Sequence, residues 1–129
     1  MKTLSAFFWV GAGGALGAML RYSFTLYFQK FSIVFPWGTF VSNVLGCLII
    51  GALSQMIFQT QMVSPEMRLL WVTGFCGGLT TWSSLVYESM EMTKVSEWFY
   101  LALYAGRTFV ISILVFYMGM VGIKLLLKG

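Results

Sequence analysis

Histidine and aspartate are absent from this chain of 129 residues, and its only acids are Glu66, Glu88, Glu91 and Glu97. That absence closes most routes to zinc sites, hydrolytic triads and phosphoryl-transfer metal sites, so the composition argues against an enzyme. Charge of either sign is scarce: 9% of residues are charged, against about 25% in soluble domains. The Lys and Arg residues are scattered singly and leave a net charge of only +4, which gives no basic cluster of the kind nucleic acid or anionic lipid requires. The two cysteines, Cys47 and Cys76, each lie in an apolar segment and read as small buried hydrophobes rather than as a disulfide framework. What fills the chain instead is apolar: 59% of residues are hydrophobic and the mean hydropathy is +0.85. These values describe an integral membrane protein whose residues 1–129 form one domain, with no stretch polar enough for a separate soluble module.

A spanning helix needs about 20 predominantly apolar residues. Four segments qualify, at about 4–29, 38–60, 69–92 and 98–124, which predicts an all-α membrane protein of four crossings. The first segment lacks a basic region beyond Lys2 and is long and glycine-rich before Arg21, so it is expected to remain in the mature chain. The linkers are short and carry Pro36 and Pro65, breakers that suit the turns between helices. Four crossings put Lys2, Arg68, Lys124 and Lys128 on one side, with Lys30, Lys94, Arg21 and Arg107 toward the other. Orientation follows the difference in Lys and Arg near helix ends. A tie predicts insertion both ways and hence an antiparallel homodimer with its two-fold axis in the membrane plane.

Polar residues inside the crossings form faces. In GAGGALGAMLRY of the first segment, Gly13 and Gly17 have small-xxx-small spacing, which favours close helix contact. Arg21 is a guanidinium within a spanning segment and must snorkel, pair or line a wet cavity; Glu88 is a possible partner. In the second segment Thr39, Asn43 and Gly46 share one face. An amide there either joins helices or faces a polar path, and the neighbouring Thr39 favours the path. The fourth segment carries Tyr104, Thr108 and Ser112 in a similar stripe. A lone hydroxyl in such a helix bonds its own backbone, but a stripe of uncharged donors suits a small anion exchanging its water shell.

The third segment contains GFCGGLTTWSS at 74–84. Adjacent glycines followed by two β-branched threonines make a poor helix centre, so a break is expected near the bilayer midplane. Irregular backbone at that depth is tolerated where it is buried in protein or lines a cavity. In an antiparallel dimer two such breaks would oppose each other, and their freed carbonyls would make a site for a hard monovalent cation.

In order and spacing, GGALGAMLRY (13–22), GTFVSNVLG (38–46), GFCGGLTTWSS (74–84) and the polar stripe of the fourth helix resemble the Fluc/CrcB family of fluoride channels, over nearly the whole chain. The resemblance implies an antiparallel dual-topology dimer in the bacterial inner membrane, with two pores that export fluoride passively and so protect against its toxicity. It further implies a structural Na⁺ held at the dimer centre by the carbonyls of Gly77 and Thr80 from each subunit. Asn43 would be the pore donor, with Tyr104 and Ser112 from the fourth helix, and Arg21 would support the fold or the vestibule; the stripe of the second segment adds Thr39 to the path, and Glu88, as the candidate partner of Arg21, joins its supporting role. Where the family usually has two phenylalanines three residues apart, this chain has Trp82 and Leu85. Trp82 keeps an aromatic edge and adds an N–H, whereas Leu85 has no ring.

Two other readings compete. Small multidrug-type exporters are also short and of dual topology, but they depend on a Glu in the first helix, and segment 4–29 has no acid. A non-transporting membrane scaffold would use the glycines and polar groups for assembly alone, so that Asn43→Ala alters assembly rather than flux.

Overall fold

A computed structural model describes residues 3–31, 35–60, 63–95 and 98–128. Lys2 of the charge balance, Glu97, and parts of all three linkers lie outside them. The regular elements among the described residues are all helical: α1 (Thr3–Phe28), α2 (Trp37–Thr60), α3 (Pro65–Arg68), a π-helical segment (Leu69–Cys76), α4 (Gly77–Leu79), α5 (Trp82–Lys94) and α6 (Trp98–Leu126). Four spans, Thr3–Phe28, Trp37–Thr60, Pro65–Lys94 and Trp98–Leu126, are long and apolar enough to cross a membrane. They match the four segments expected from hydropathy, with the third starting a turn earlier. Ser64 explains that earlier start: its hydroxyl accepts from the Met67 amide at 3.3 Å, and Pro65 occupies the first turn, where it needs no hydrogen-bond donor.

Between lipid-soluble helices there is little hydrophobic force, so contact depends on how closely backbones can approach. Glycine sets that distance in two places. A Cβ on Gly13 would fall 2.0 Å from the Leu70 carbonyl oxygen, and one on Gly17 would fall 2.2 Å from that of Phe75. Gly74 and Gly78 return the approach from the other side, against the backbone of Gly13 and Gly14. Helix α1 therefore rests directly on the π-helical segment and α4. On the far side α2 packs along α6, with Gly51 against the Phe116 backbone and Gly119 against that of Leu48 and Ala52. Gly13 and Gly17 serve close helix contact, as their spacing indicated.

Helical geometry stops after Leu79. Thr80 (φ −79°, ψ 149°) and Thr81 (φ −148°, ψ 118°) are extended, and α5 starts at Trp82 with the Thr81 hydroxyl accepting from the Ser84 amide at 3.2 Å. Gly77 and Gly78 are themselves helical, and the extended residues are the β-branched pair that follows them, as their preference for extended backbone dictates.

Candidate functional site

In an uninterrupted helix the Thr81 amide would bond the Gly77 carbonyl. Here the Asn43 side chain from α2 intervenes: its Oδ1 accepts from the Thr81 N–H at 2.7 Å and its Nδ2 donates to the Thr81 carbonyl at 3.2 Å. Asn43 is 8% exposed, so these are the bonds that make two interrupted backbone groups tolerable. Other groups deal with the remaining loose ends. The Thr80 hydroxyl donates to the Cys76 carbonyl at 2.9 Å, as the Thr80 amide does at 3.0 Å. Arg21 Nε donates to the Gly78 carbonyl at 3.2 Å. The Gly77 carbonyl has lost its helical donor to Asn43, and that of Thr80 has lost the Ser84 amide to the Thr81 hydroxyl.

Two cavities flank this region. The first, of about 580 Å³, lies among the ends of α1, α2, α5 and α6; Thr39, Glu88 and Glu91 are on its wall with Phe28, Phe35 and Trp37. The second, of about 430 Å³, is walled by Asn43 and Cys47 of α2, Thr80 to Trp82 with Leu85, and Thr108, Phe109, Ser112 and Phe116 of α6. Among the described residues, no Lys or Arg lines either cavity. A polar group borders the first: the Thr39 hydroxyl donates to Glu88 Oε1 at 2.6 Å and the Tyr104 hydroxyl to Glu88 Oε2 at 2.5 Å. From Thr39 to Asn43, and from Tyr104 to Thr108, is one helical turn of about 6 Å, so this group is continuous with the upper wall of the second cavity.

The residues singled out from sequence thus divide. Asn43, Thr80, Trp82, Leu85 and Ser112 meet at the second cavity. Thr39 and Glu88 line the first, while Tyr104 is 0% exposed, lines neither, and reaches Glu88 through its hydroxyl. Gly77 lies apart from both, exposed, with open space where a Cβ would stand. The pairing of Arg21 with Glu88 does not occur: Arg21 bonds the carbonyl exposed by the break, and Glu88 is held by two hydroxyls. Within the α6 stripe, Thr108 donates to its own Tyr104 carbonyl at 2.7 Å, the ordinary use of a helical threonine. The Ser112 hydroxyl makes no bond to a described residue. The sequence reading passed over Cys47, Phe109 and Phe116. Cys47 lies one turn beyond Asn43 on the same face, and Phe109 and Phe116 bracket Ser112 at seven-residue spacing, signals that helical periodicity carries.

Of the described residues that line the second cavity, Asn43, Trp82 and Ser112 carry uncharged donors: an Nδ2 hydrogen not used at Thr81, an indole N–H and a hydroxyl. The first cavity carries carboxylates instead, with Glu91 paired to Lys94 at 2.6 Å.

Residues 8–120 match the family described as CrcB-like protein, Camphor Resistance (CrcB). Among similar proteins, the fluoride-specific ion channel FluC of Chlorobium phaeobacteroides (strain BS1) is 46% identical over 111 residues, covering 86% of this chain and 87% of its own length. That of Chlorobium luteolum is 44% identical over 115 residues, covering 89% of each chain. That of Prosthecochloris aestuarii is 43% identical over 119 residues, covering 92% of this chain and 93% of its own. The match runs through all four spans, and the chain belongs to the CrcB-like family as a multi-pass protein of the bacterial inner membrane.

Proposed function

We propose that the chain is a fluoride-selective channel, not an enzyme. It passes F⁻ down its gradient as an antiparallel dual-topology homodimer with two pores and a structural Na⁺ between the subunits. The observation that supports this most is the second cavity, whose largely apolar wall includes Asn43, Trp82 and Ser112, donor-bearing residues of three helices, with no Lys or Arg among its described lining residues. The relatives named fluoride-specific ion channels add the identity of the ion. A strongly hydrated anion must be offered N–H and O–H groups to replace its water, yet must leave again, and a buried cation would hold it. Asn43, Ser112 and Trp82 are the donors, and Leu85 is an aliphatic part of the wall. Between the cavities the ion meets Thr39 and Tyr104, whose hydroxyls are already given to Glu88. A carboxylate repels fluoride, so passage requires these hydroxyls to turn from Glu88 to the ion, which makes Glu88 a control on the path rather than a binding group.

The dimer and its cation rest on the break. Gly77 is exposed and open, and it and Thr80 each present a carbonyl deprived of its helical donor. Neutral carbonyl oxygens are the donor set a hard monovalent cation takes, and two copies meeting at this face would supply it. The cation would contribute positive charge that joins the two breaks.

The deciding experiment is efflux from liposomes containing the purified protein, comparing fluoride with chloride while a K⁺ ionophore balances charge. Fluoride release without chloride release is expected; release of neither ion by folded protein rejects the channel.

A further inference from the structure

With no Lys or Arg among the described residues of its wall, the second cavity depends on dipoles to hold an anion. Aromatic rings are such dipolar groups, negative on the face and positive at the edge. Leu85, 6% exposed, brings none. Helix α6 brings two: positions 109, 112, 113 and 116 share the face toward the cavity, so the phenyl rings of Phe109 and Phe116 lie about one turn to either side of Ser112. Neither ring pairs with another described ring. The backbone of Phe116 is held close to α2. Gly51 lets α2 approach so closely that a Cβ there would fall 2.1 Å from the Phe116 carbonyl oxygen.

We propose that Phe109 and Phe116 are ion-facing residues of this chain, flanking the fluoride site at Ser112 and supplying from α6 the aromatic surface that Leu85 does not. The assignment rests on the channel reading above. It is a statement about rings, so the test removes the ring while keeping apolar bulk, then restores it.

Phe109→Leu and Phe116→Leu would be reconstituted beside wild type and beside Phe109→Tyr and Phe116→Tyr, and fluoride efflux, chloride efflux and thermal midpoint measured for each. Each Leu variant should release fluoride about tenfold more slowly, the rate equivalent of about 1.4 kcal/mol, while the Tyr variants stay within about threefold of wild type. Leu variants that conduct at the wild-type rate, or Leu and Tyr variants that fall equally, would overturn the assignment. Should Phe116→Leu lower the melting temperature, Phe109→Leu decides, because Phe109 is 63% exposed. Failure of the channel reading is distinguishable: wild type itself would release no fluoride, before any substitution is made.

Discussion

Replacing Asn43 by alanine tests whether one amide holds the third span open. The change strands the Thr81 N–H and C=O together, since both now bond Asn43. An unsatisfied buried polar group costs about 1–3 kcal/mol. These groups are only part-buried, so the lower half of the combined range applies, about 2–4 kcal/mol. For a chain of this size that corresponds to a drop in melting temperature on the order of 10 °C. Asn43→Asp retains the acceptor for the Thr81 amide but loses the donor to its carbonyl, and should fall between wild type and Asn43→Ala. The assay is thermal unfolding of the purified protein in one detergent, followed by tryptophan fluorescence. Ser112→Ala is the control. Its hydroxyl bonds no described residue, so stability should move by no more than about 0.5 kcal/mol, while fluoride efflux falls. An Asn43→Ala midpoint within about 2 °C of wild type would refute the claim that this side chain supports the break. The comparison also separates a channel from a scaffold. Asn43→Ala alters assembly under either reading, because it disturbs the backbone, whereas Ser112→Ala lowers flux only if the cavity conducts.

Cys47 lines the second cavity and Cys76 is 1% exposed, so a methanethiosulfonate reagent should block fluoride efflux from wild-type liposomes and leave Cys47→Ser unaffected; block of Cys47→Ser would place the reactive site elsewhere. Glu88→Gln keeps one acceptor oxygen for two hydroxyl donors and should cost about 1–3 kcal/mol of stability, with Tyr104→Phe costing about 1 kcal/mol; unfolding midpoints unchanged in both would show that the three groups do not act together. Gly13→Ala puts a methyl 2.0 Å from the Leu70 carbonyl oxygen and should prevent recovery of folded protein. Gly106→Ala meets nothing and should be neutral, or gain up to about 1 kcal/mol from helix propensity. Equal yields of folded Gly13→Ala and wild type would contradict the close approach of α1.

How much of this was legible in the sequence depends on whether the signal was periodic or positional. The four spans follow from hydropathy and length, quantities that average over many residues, and their bounds agree with the structure to within a few positions. The face Thr39, Asn43, Gly46 was also visible. Its consequence was not, because one helix face meets different neighbours along its length: Glu88 at Thr39, the Thr81 backbone at Asn43, and the Thr80 side chain at Gly46. A stripe read as one lined path is therefore two groups with different work. Arg21 shows the same limit. Charge complementarity pointed to Glu88, but the stronger demand was a carbonyl left without its helical donor at Gly78, and sequence does not reveal which carbonyl a break will free.

The arrangement also explains why glycines and threonines occur together in the third span. Gly74 and Gly78 let it lie directly against α1, while a Cβ on Gly77 would meet no described atom within 4 Å. No close approach among the described residues requires glycine at 77, and helix propensity argues against it by about 1 kcal/mol. Opposition to a second copy would account for it. Gly77→Ala should then leave the unfolding of the single chain unchanged or improved while lowering the dimer fraction and the fluoride efflux, measured by cross-linking and in liposomes. A Gly77→Ala variant that dimerises and conducts as wild type does would mean that the open face at the break lies toward lipid, and that the freed carbonyls of Gly77 and Thr80 find their partners elsewhere.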